Sequence, residues 1–245
     1  MLRYFSALNV HCRTRPLACT ACLVLFLTLT DSADAQSTGR TIVRVEEDWV
    51  ALIAEPDAEI SSPQIMNFIS PIQATSGIFG LVQVNHRGAP EFQAGGLQVQ
   101  GWVGSSMSGS ADANKTSKLD RSSDNLRYTV AMEKVNNGIT FQLLNGRSRK
   151  WGRFAQTPVS VTVEVNEPSL EEYAPEFSVA NTNVNVGAHR VNLLYLTATR
   201  FKYSDGATVT DNTDRVIHRY QLTVEDVSLV EYEQNPDDYN VEITE

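Results

Sequence analysis

Residues 126–154 read LRYTVAMEKVNNGITFQLLNGRSRKWGRF, and this stretch decides the fold. Its first eight residues alternate between apolar and mostly polar side chains. The apolar positions are Leu126, Tyr128, Val130 and Met132. Such alternation predicts a strand with one packed face and one wet face. Asn137-Gly138 then has the composition of a type I′ turn, and the alternation resumes at Ile139, so the stretch begins with a β-hairpin.

A second Asn-Gly pair, Asn145-Gly146, follows the resumed alternation. It predicts another reversal, into the segment that holds Trp151 and Phe154. We therefore expect a three-stranded antiparallel meander over residues 126–154.

Similar runs lie on both sides of the meander, separated by Gly, Asn, Asp and Pro. They are residues 42–53, 65–69, 78–86, 97–103, 159–165, 191–203 and 216–224. The total is nine or ten strands, with one helical turn at 169–173, where Ser169 and Glu172 have capping-box spacing. Segments 104–124 and 167–187 are predicted to be long loops. The expected fold is all-β, an antiparallel β-sandwich of jelly-roll type; a closed β-barrel is the alternative.

Residues 1–35 have the pattern of a cleavable secretory signal peptide. Basic residues precede an uncharged apolar run over 17–29, which is too short for a membrane-spanning helix. Ala33-Asp34-Ala35 fits the small-x-small cleavage pattern, so cleavage between Ala35 and Gln36 is expected. The predicted order is a signal peptide (1–35), a flexible N-terminus (36–40), one sandwich domain (41–230) and an acidic tail or edge strand (231–245). The protein is expected to be secreted, periplasmic or on the cell surface.

Removal of residues 1–35 would change both the cysteine content and the charge. Cys12, Cys19 and Cys22 all lie in that segment, so the remaining chain has no thiol for a disulfide or a metal. The 20 basic and 29 acidic residues fall to 17 and 27, a net charge of −10. Such an acidic chain is a poor candidate for nucleic acid. We expect no membrane span after cleavage, and the oligomeric state is left open.

Glu46 and Asp48 are weak candidates for catalysis. At positions i and i+2 of a strand they share a face, as the paired carboxylates of some sandwich glycosidases do, and Trp49 beside them could stack on a sugar. In the laminarinase-like enzymes a third carboxylate follows, but position 50 is Val. The simpler interpretation is a charged outer face that guards a sheet edge.

A basic cluster stands out against the acidic background. Arg147, Arg149, Lys150 and Arg153 surround Trp151, a composition suited to an anionic polysaccharide or an acidic protein surface. The simpler interpretation is a solvated strand face. Trp102 is a further candidate for contact with a ligand.

Acidic residues near two turns are weak candidates for a calcium site. They are Asp205, Asp211 and Asp214, beside Asn212. Their oxygens could gather around an ion, although the spacing does not match an EF-hand. The alternative is that these side chains hydrogen-bond to their own turns. No other cofactor is indicated.

Three segments resemble an uncharacterised family of secreted proteins from planctomycete-type bacteria. They are AGGLQVQGWVG (94–104), the meander (126–154) and RVNLLYLTATRFKYSDG (190–206). The resemblance implies a signal peptide and a β-sandwich but no established activity. More loosely, the meander is similar to concanavalin-like and laminin-G-like jelly rolls, which often bind glycans or proteins.

Three functions follow as hypotheses. The first is a non-catalytic extracellular protein that binds a glycan or a surface protein through Trp102 or Trp151 and neighbouring loops. The second is a glycoside hydrolase or lyase that uses Glu46 and Asp48. The third is a structural protein of the cell envelope without a small ligand.

Overall fold

The computed structural model describes residues 39–54, 63–73, 77–86, 96–114, 124–149, 152–184 and 191–219. These residues form thirteen strands and one short helix. In chain order they are β1 (Ile42–Ile53), β2 (Ile65–Ile69), β3 (Ile78–His86), β4 (Gly96–Val103), β5 (Ser106–Asn114), β6 (Asp124–Val135), β7 (Gly138–Ser148), β8 (Gly152–Phe154), β9 (Val159–Glu164), α1 (Pro175–Asn181), β10 (Asn183–Val184), β11 (Val191–Tyr203), β12 (Thr208–Asp211) and β13 (Arg215–Arg219).

The strands form two antiparallel sheets. The larger sheet has the order β12-β11-β1-β6-β7-β8, with β13 also paired to β11 and β9 to β7. The smaller sheet has the order β10-β2-β3-β4-β5. The prediction of an all-β sandwich is confirmed, and the sheets do not close into a barrel. All described residues belong to one compact unit that begins at Gly39.

The core lies between the two sheets and is built by alternate residues of their strands. In β1 the inward positions include Val45, Trp49, Ala51 and Ile53, all of them buried. The inner face of the meander is buried as predicted, from Leu126 onward. Its outer face is more buried than predicted, since Thr129 and Ala131 are also buried. In the register, Thr129 lies beside Asp48 and Ala131 beside Glu46, both of which are charged residues of β1.

A row of three glycines brings the smaller sheet close to the larger one. Gly80 of β3 is the register partner of Gly101 of β4, which is the partner of Gly109 of β5. A Cβ on Gly80 would lie 2.5 Å from a ring carbon of Phe141, and one on Gly101 would overlap a methyl of Val163. A side chain at Gly80 or Gly101 would therefore push the sheets apart, and a Cβ at Gly109 would lie only 3.1 Å from a methyl of Val161.

The first hairpin of the meander exists, but its turn differs from the prediction. Val135 pairs with Gly138, so the two turn residues are Asn136 and Asn137, and neither has the positive φ of a type I′ turn. Position 138 requires glycine for another reason: a Cβ there would overlap the carbonyl oxygen of Val163 on β9. The glycine permits close strand approach and does not supply a special φ.

The reversal predicted at Asn145-Gly146 is wrong, because β7 continues to Ser148. The pair instead forms a β-bulge. Leu144 pairs with Thr129 and the next pair is Arg147 with Arg127, so two residues of β7 lie opposite one residue of β6. Asn145 has a φ of 56°, a conformation that Asn tolerates better than most residues.

Both predicted long loops contain regular structure. The first includes β5, whose inward positions are filled by Gly109, Ala111 and Ala113. The close approach of the sheets requires residues this small. They do not give the alternation of large apolar and polar side chains by which the other strands were predicted. The second includes α1 and β10. The helix begins at Pro175, after the predicted turn, because proline is pre-organised for a first helical position.

Several predictions lie outside the described residues. They are the signal peptide with its Ala35–Gln36 cleavage site, residues 36–38, Lys150 and Trp151, the second half of the predicted strand 216–224, and the tail 231–245. Among the residues that are described, no helix has the length and apolar character needed to cross a membrane.

Candidate functional site

Glu46 and Asp48 lie on the outer face of the larger sheet, where one arginine holds both. Arg200 of β11 donates from Nε to Glu46 Oε2 (3.0 Å). Its two terminal nitrogens donate to the two oxygens of Asp48, and Nη2 lies 2.9 Å from Oδ1. The guanidinium thus fills the space between the two carboxylates.

Further cations surround Glu46. Arg44 Nε lies 2.6 Å and Lys202 Nζ 2.7 Å from its Oε1. Burial alone would raise the pKa of Glu46, but the hydrogen bonds from Lys202, Arg44 and Arg200 outweigh it and lower the pKa to about 2. A carboxylate held this firmly in its charged form is unsuited to donate a proton near neutral pH.

Trp49 does not share a face with this pair. Its side chain is buried between the sheets, and its Nε1 donates to Glu47 Oε2 (3.0 Å). The expectation that its indole stacks on a sugar is therefore wrong. Glu46, Asp48 and their cations form an ion-pair network, and no arrangement for glycosidic acid–base chemistry is present at these two residues.

Glu47 is the residue in this segment that sequence reasoning missed. It has no exposed surface, and the Tyr173 hydroxyl donates to its Oε1 (2.8 Å). Burial raises the pKa of Glu47 to about 7, and the hydrogen bonds from Tyr173 and Trp49 offset only part of that effect. The signal was its position: Glu47 lies two residues from both Val45 and Trp49, so period-two alternation places it on the packed face.

A depression lies next to Asp48 on the outer face of the larger sheet. It has a volume of about 360 Å³. Its lining residues are Asp48, Trp49, Val50, Arg127, Tyr128, Thr129, Asn145, Arg147 and Thr197. The structure thus brings together Asp48 and Arg147, which were singled out for different reasons.

Three arginines are cross-strand neighbours on adjacent strands of the larger sheet, and we call them the arginine row. Arg127 of β6 is the partner of Arg147 of β7, which is the partner of Arg153 of β8. Arg147, Arg149 and Arg153 are exposed. The backbone N–H of Arg149 donates to the carbonyl of Asn125 (3.4 Å), which ties the end of β7 to the start of β6.

Trp102 belongs to a row of aromatic rings on the outer face of the smaller sheet. Its indole is parallel to the ring of its cross-strand partner Phe79, with an interplanar angle of 2° and centroids 5.9 Å apart. Phe79 stacks in turn on Phe68 (5.0 Å), against which Phe177 of α1 packs edge-on. The row therefore has a packed end at the helix and a partly exposed end at Trp102.

Polar side chains continue from Trp102 as a chain of hydrogen bonds along β4. Trp102 Nε1 donates to Gln100 Oε1 (3.0 Å), and Gln100 Nε2 donates to Gln98 Oε1. Gln98 Nε2 donates to Asp112 Oδ1 on the neighbouring β5 (2.8 Å). Each amide is thereby held in one orientation beside the rings.

The spacing in Gln98-x-Gln100-x-Trp102 was a sequence signal for a shared face, whereas Phe79 and Asp112 required knowledge of the strand pairing. The exposed Met107 is the register partner of Trp102, and the exposed Val103 follows it. We call Phe79, Gln98, Gln100, Trp102 and Asp112 the tryptophan face. It lies on the opposite side of the sandwich from the arginine row.

Two of the three calcium candidates, Asp205 and Asp211, hydrogen-bond to their own turns. Asp205 Oδ1 accepts the N–H of Ala207 (2.9 Å), and Asp211 Oδ1 accepts the N–H of Thr213 (2.9 Å). The second oxygen of Asp211 pairs with Arg215 (2.7 Å). Asp214 is exposed, and the described residues contain no group of three or more His, Cys, Asp or Glu that could hold a metal ion.

Comparison with known proteins finds no match to a family model, to a curated protein or to a solved structure.

Proposed function

We propose that this protein is an exported, non-catalytic β-sandwich that binds a glycan through the tryptophan face. Sugars present flat C–H surfaces, which pack on aromatic rings, and hydroxyl groups, which pair with amides and carboxylates. Glycan-binding sites accordingly combine apolar rings with a few fixed polar groups. The tryptophan face has both within one exposed sheet surface.

The observation that carries this proposal is the hydrogen-bond chain from Trp102 through Gln100 and Gln98 to Asp112. Long amide side chains lose rotamer freedom when a ligand orders them, which weakens binding. Here they are already ordered in the free protein. Each amide uses one N–H and one lone pair of its oxygen within the chain, so a second N–H and a second lone pair remain for a ligand.

The test is a glycan-array screen of the purified protein, followed by calorimetric titration of the glycans that bind. We expect Trp102→Ala to weaken binding by about tenfold or more, because buried aromatic anchors carry a large share of the binding energy of an interface. Trp102→Phe retains a ring and should keep part of the affinity. Val209→Ala is the matched control, because it shortens an exposed apolar side chain on β12 of the larger sheet.

Other results would favour other functions. If no glycan binds, or if Trp102→Ala and Val209→Ala behave alike, the proposal fails and a structural envelope protein becomes the better hypothesis. Capture of a surface protein that competes at Met107 and Val103 would favour a protein ligand. Release of reducing sugar that disappears in Glu46→Gln would restore the hydrolase alternative, for which the ion pairs of Glu46 provide no support.

A further inference from the structure

The tryptophan face is longer than one sugar ring. Trp102, Gln100 and Gln98 occupy alternate positions of β4, and the residues between them belong to the core or to the glycine row. A strand rises about 3.3 Å per residue, so these three side chains extend over roughly 13 Å. The aromatic ring lies at one end of this line and the amides lie toward the other. A ligand that contacts the whole line must therefore be a chain of at least two sugar residues.

β5 leaves space beside this line. Phe79 of β3 covers one face of the Trp102 indole, since the two rings are parallel with their centroids 5.9 Å apart. The opposite face of the indole is on the side of β5. The outward residues of β5 there are Met107 and Ser110, both exposed, and Ser110 lies opposite Gln100. An extended ligand can lie over β5, with one sugar ring against the free face of the indole and the next beside the amides.

The smaller sheet carries almost no charge. None of its five described strands contains Lys or Arg, and the acidic residue among them is Asp112, which is exposed. Its Oδ1 already accepts a hydrogen bond from Gln98 (2.8 Å). A carboxylate without a basic residue on the strands of its own sheet repels an anionic ligand, but it still accepts hydrogen bonds from hydroxyl groups. The charge of this face therefore favours a neutral glycan.

We propose that the tryptophan face binds an uncharged, extended polysaccharide that runs along β4 and over β5, such as a glucan or mannan with equatorial linkages. This ligand class rests on the proposed function, because it specifies the glycan bound by the same surface. Equatorially linked sugars form flat ribbons, whose ring faces pack on aromatic side chains while their edges present hydroxyl groups. The ordered amides of β4 can pair with such edges without a further loss of rotamer freedom.

Calorimetric titration of the purified protein with oligosaccharides of two lengths tests the extended site. Cellobiose and mannobiose are the short ligands, and cellohexaose and mannohexaose are the long ones. We expect at least one hexasaccharide to bind about tenfold or more tightly than its disaccharide, because only the longer ligand contacts both ends of the line. Equal affinities for the two lengths, or no binding of either hexasaccharide, would overturn the proposal.

The charge preference is measured with the tighter-binding hexasaccharide and its oxidised form, in which carboxylates replace the primary hydroxyl groups. The neutral form should bind more tightly. Asp112→Asn keeps an oxygen for Gln98 but removes the charge, so it should lower the ratio of neutral to acidic affinity severalfold. Asp214→Asn is the matched control, because it removes the same charge from an exposed residue just before β13 of the larger sheet.

Both ligands are titrated against the same variant, so any loss of folded protein cancels in the affinity ratio. Binding of the acidic form as tightly as the neutral form in the parent protein would overturn the neutral preference. An equal change of the ratio in Asp112→Asn and Asp214→Asn would also overturn it, because it would indicate an effect of overall charge.

A bulky side chain on β5 locates the ligand. Ser110→Ile would occupy the space opposite Gln100, and we expect it to weaken hexasaccharide binding about tenfold or more. Ser160→Ile is the matched control, because Ser160 is an exposed strand residue on β9 of the larger sheet, and it should leave the affinity nearly unchanged. Equal affinities in the two variants would overturn the placement of the ligand over β5.

Glycan-array results separate the ligand class from the proposed function. A short or anionic glycan whose binding is lost in Trp102→Ala would overturn the extended neutral ligand but leave glycan binding by the tryptophan face intact. The absence of any glycan whose binding depends on Trp102 would overturn both.

Discussion

Glu46 and Glu47 are neighbours in the chain, but their side chains project from opposite faces of β1, and their pKa values move in opposite directions. Glu46 is surrounded by cations and has its pKa lowered to about 2. Glu47 is buried between the sheets and has its pKa raised to about 7. The two residues therefore govern stability in different pH ranges.

We expect Glu47 to make the protein less stable as pH rises from about 4.5 to 7. In that range the folded protein keeps the proton on Glu47 and the unfolded chain does not, so the free energy of unfolding falls with pH. The loss is complete above pH 7 and is on the order of 3 kcal/mol. Glu47→Gln mimics the protonated form and should remove this dependence, which urea unfolding at pH 5 and pH 8 measures.

Glu46→Gln is the control with the opposite sign. The folded-state pKa of Glu46 is below its usual value, so its contribution is present above about pH 4.5 and is lost as pH falls toward 2. The variant should be less stable than the parent at pH 8, because it leaves Arg44, Arg200 and Lys202 without their shared carboxylate. A parent-like slope between pH 5 and pH 8 in Glu47→Gln would contradict the role assigned to Glu47.

At the scale of elements, the glycine row determines how closely the two sheets pack. Gly80→Ala would place its Cβ against three carbons of Phe141, which has no space to move in the core. We expect the variant to be destabilised by about 1–3 kcal/mol, as overpacked cores are. Gly39→Ala, which meets no atom within 4 Å, should be nearly neutral. Thermal unfolding distinguishes the two, and similar melting temperatures would show that the sheets adjust freely.

Element positions could largely be predicted from the sequence, but the reasons for particular glycines could not. Large residues in alternation identified β1, β3, β6 and β11, because one face of each packs on the core. β5 was missed because a strand packed this closely needs only Gly and Ala inside. Gly138 and Gly146 were interpreted as turn residues. The absence of a side chain at these two positions permits close contacts with Val163 and Phe154, and these contacts are evident only in the folded structure.

The candidate sites were less predictable for a related reason. Arg147 and Trp102 could be singled out by type, but Arg127 became relevant only through the register of β6 against β7. Asp112 joined the tryptophan face only through the pairing of β4 with β5. Cross-strand neighbours are distant in sequence, so a single chain without its pairing does not specify them.

At the scale of the whole molecule, we predict export with cleavage after Ala35. Expression of the full chain in a secreting bacterial host should yield an extracytoplasmic protein whose first residue, by N-terminal sequencing, is Gln36. Replacement of Leu25 and Leu27 by Arg should retain the protein in the cytoplasm, since it interrupts the apolar run. An exported protein that still carries residues 1–35 would contradict cleavage.

The exported chain should also be indifferent to reducing agents. All three cysteines precede the predicted cleavage site, so the sandwich has no disulfide to lose. We expect the same melting temperature with and without dithiothreitol. A lower melting temperature in the reduced sample would show that one or more of those cysteines remain and form a bridge.

The tryptophan face covers only one side of the sandwich, and the outer face of the larger sheet lies on the other side. A single molecule therefore has a valency of one toward a glycan bound at the tryptophan face. Added protein should coat a glycan polymer without linking one polymer to another. The viscosity of the polymer solution should then rise no more with the parent protein than with Trp102→Ala.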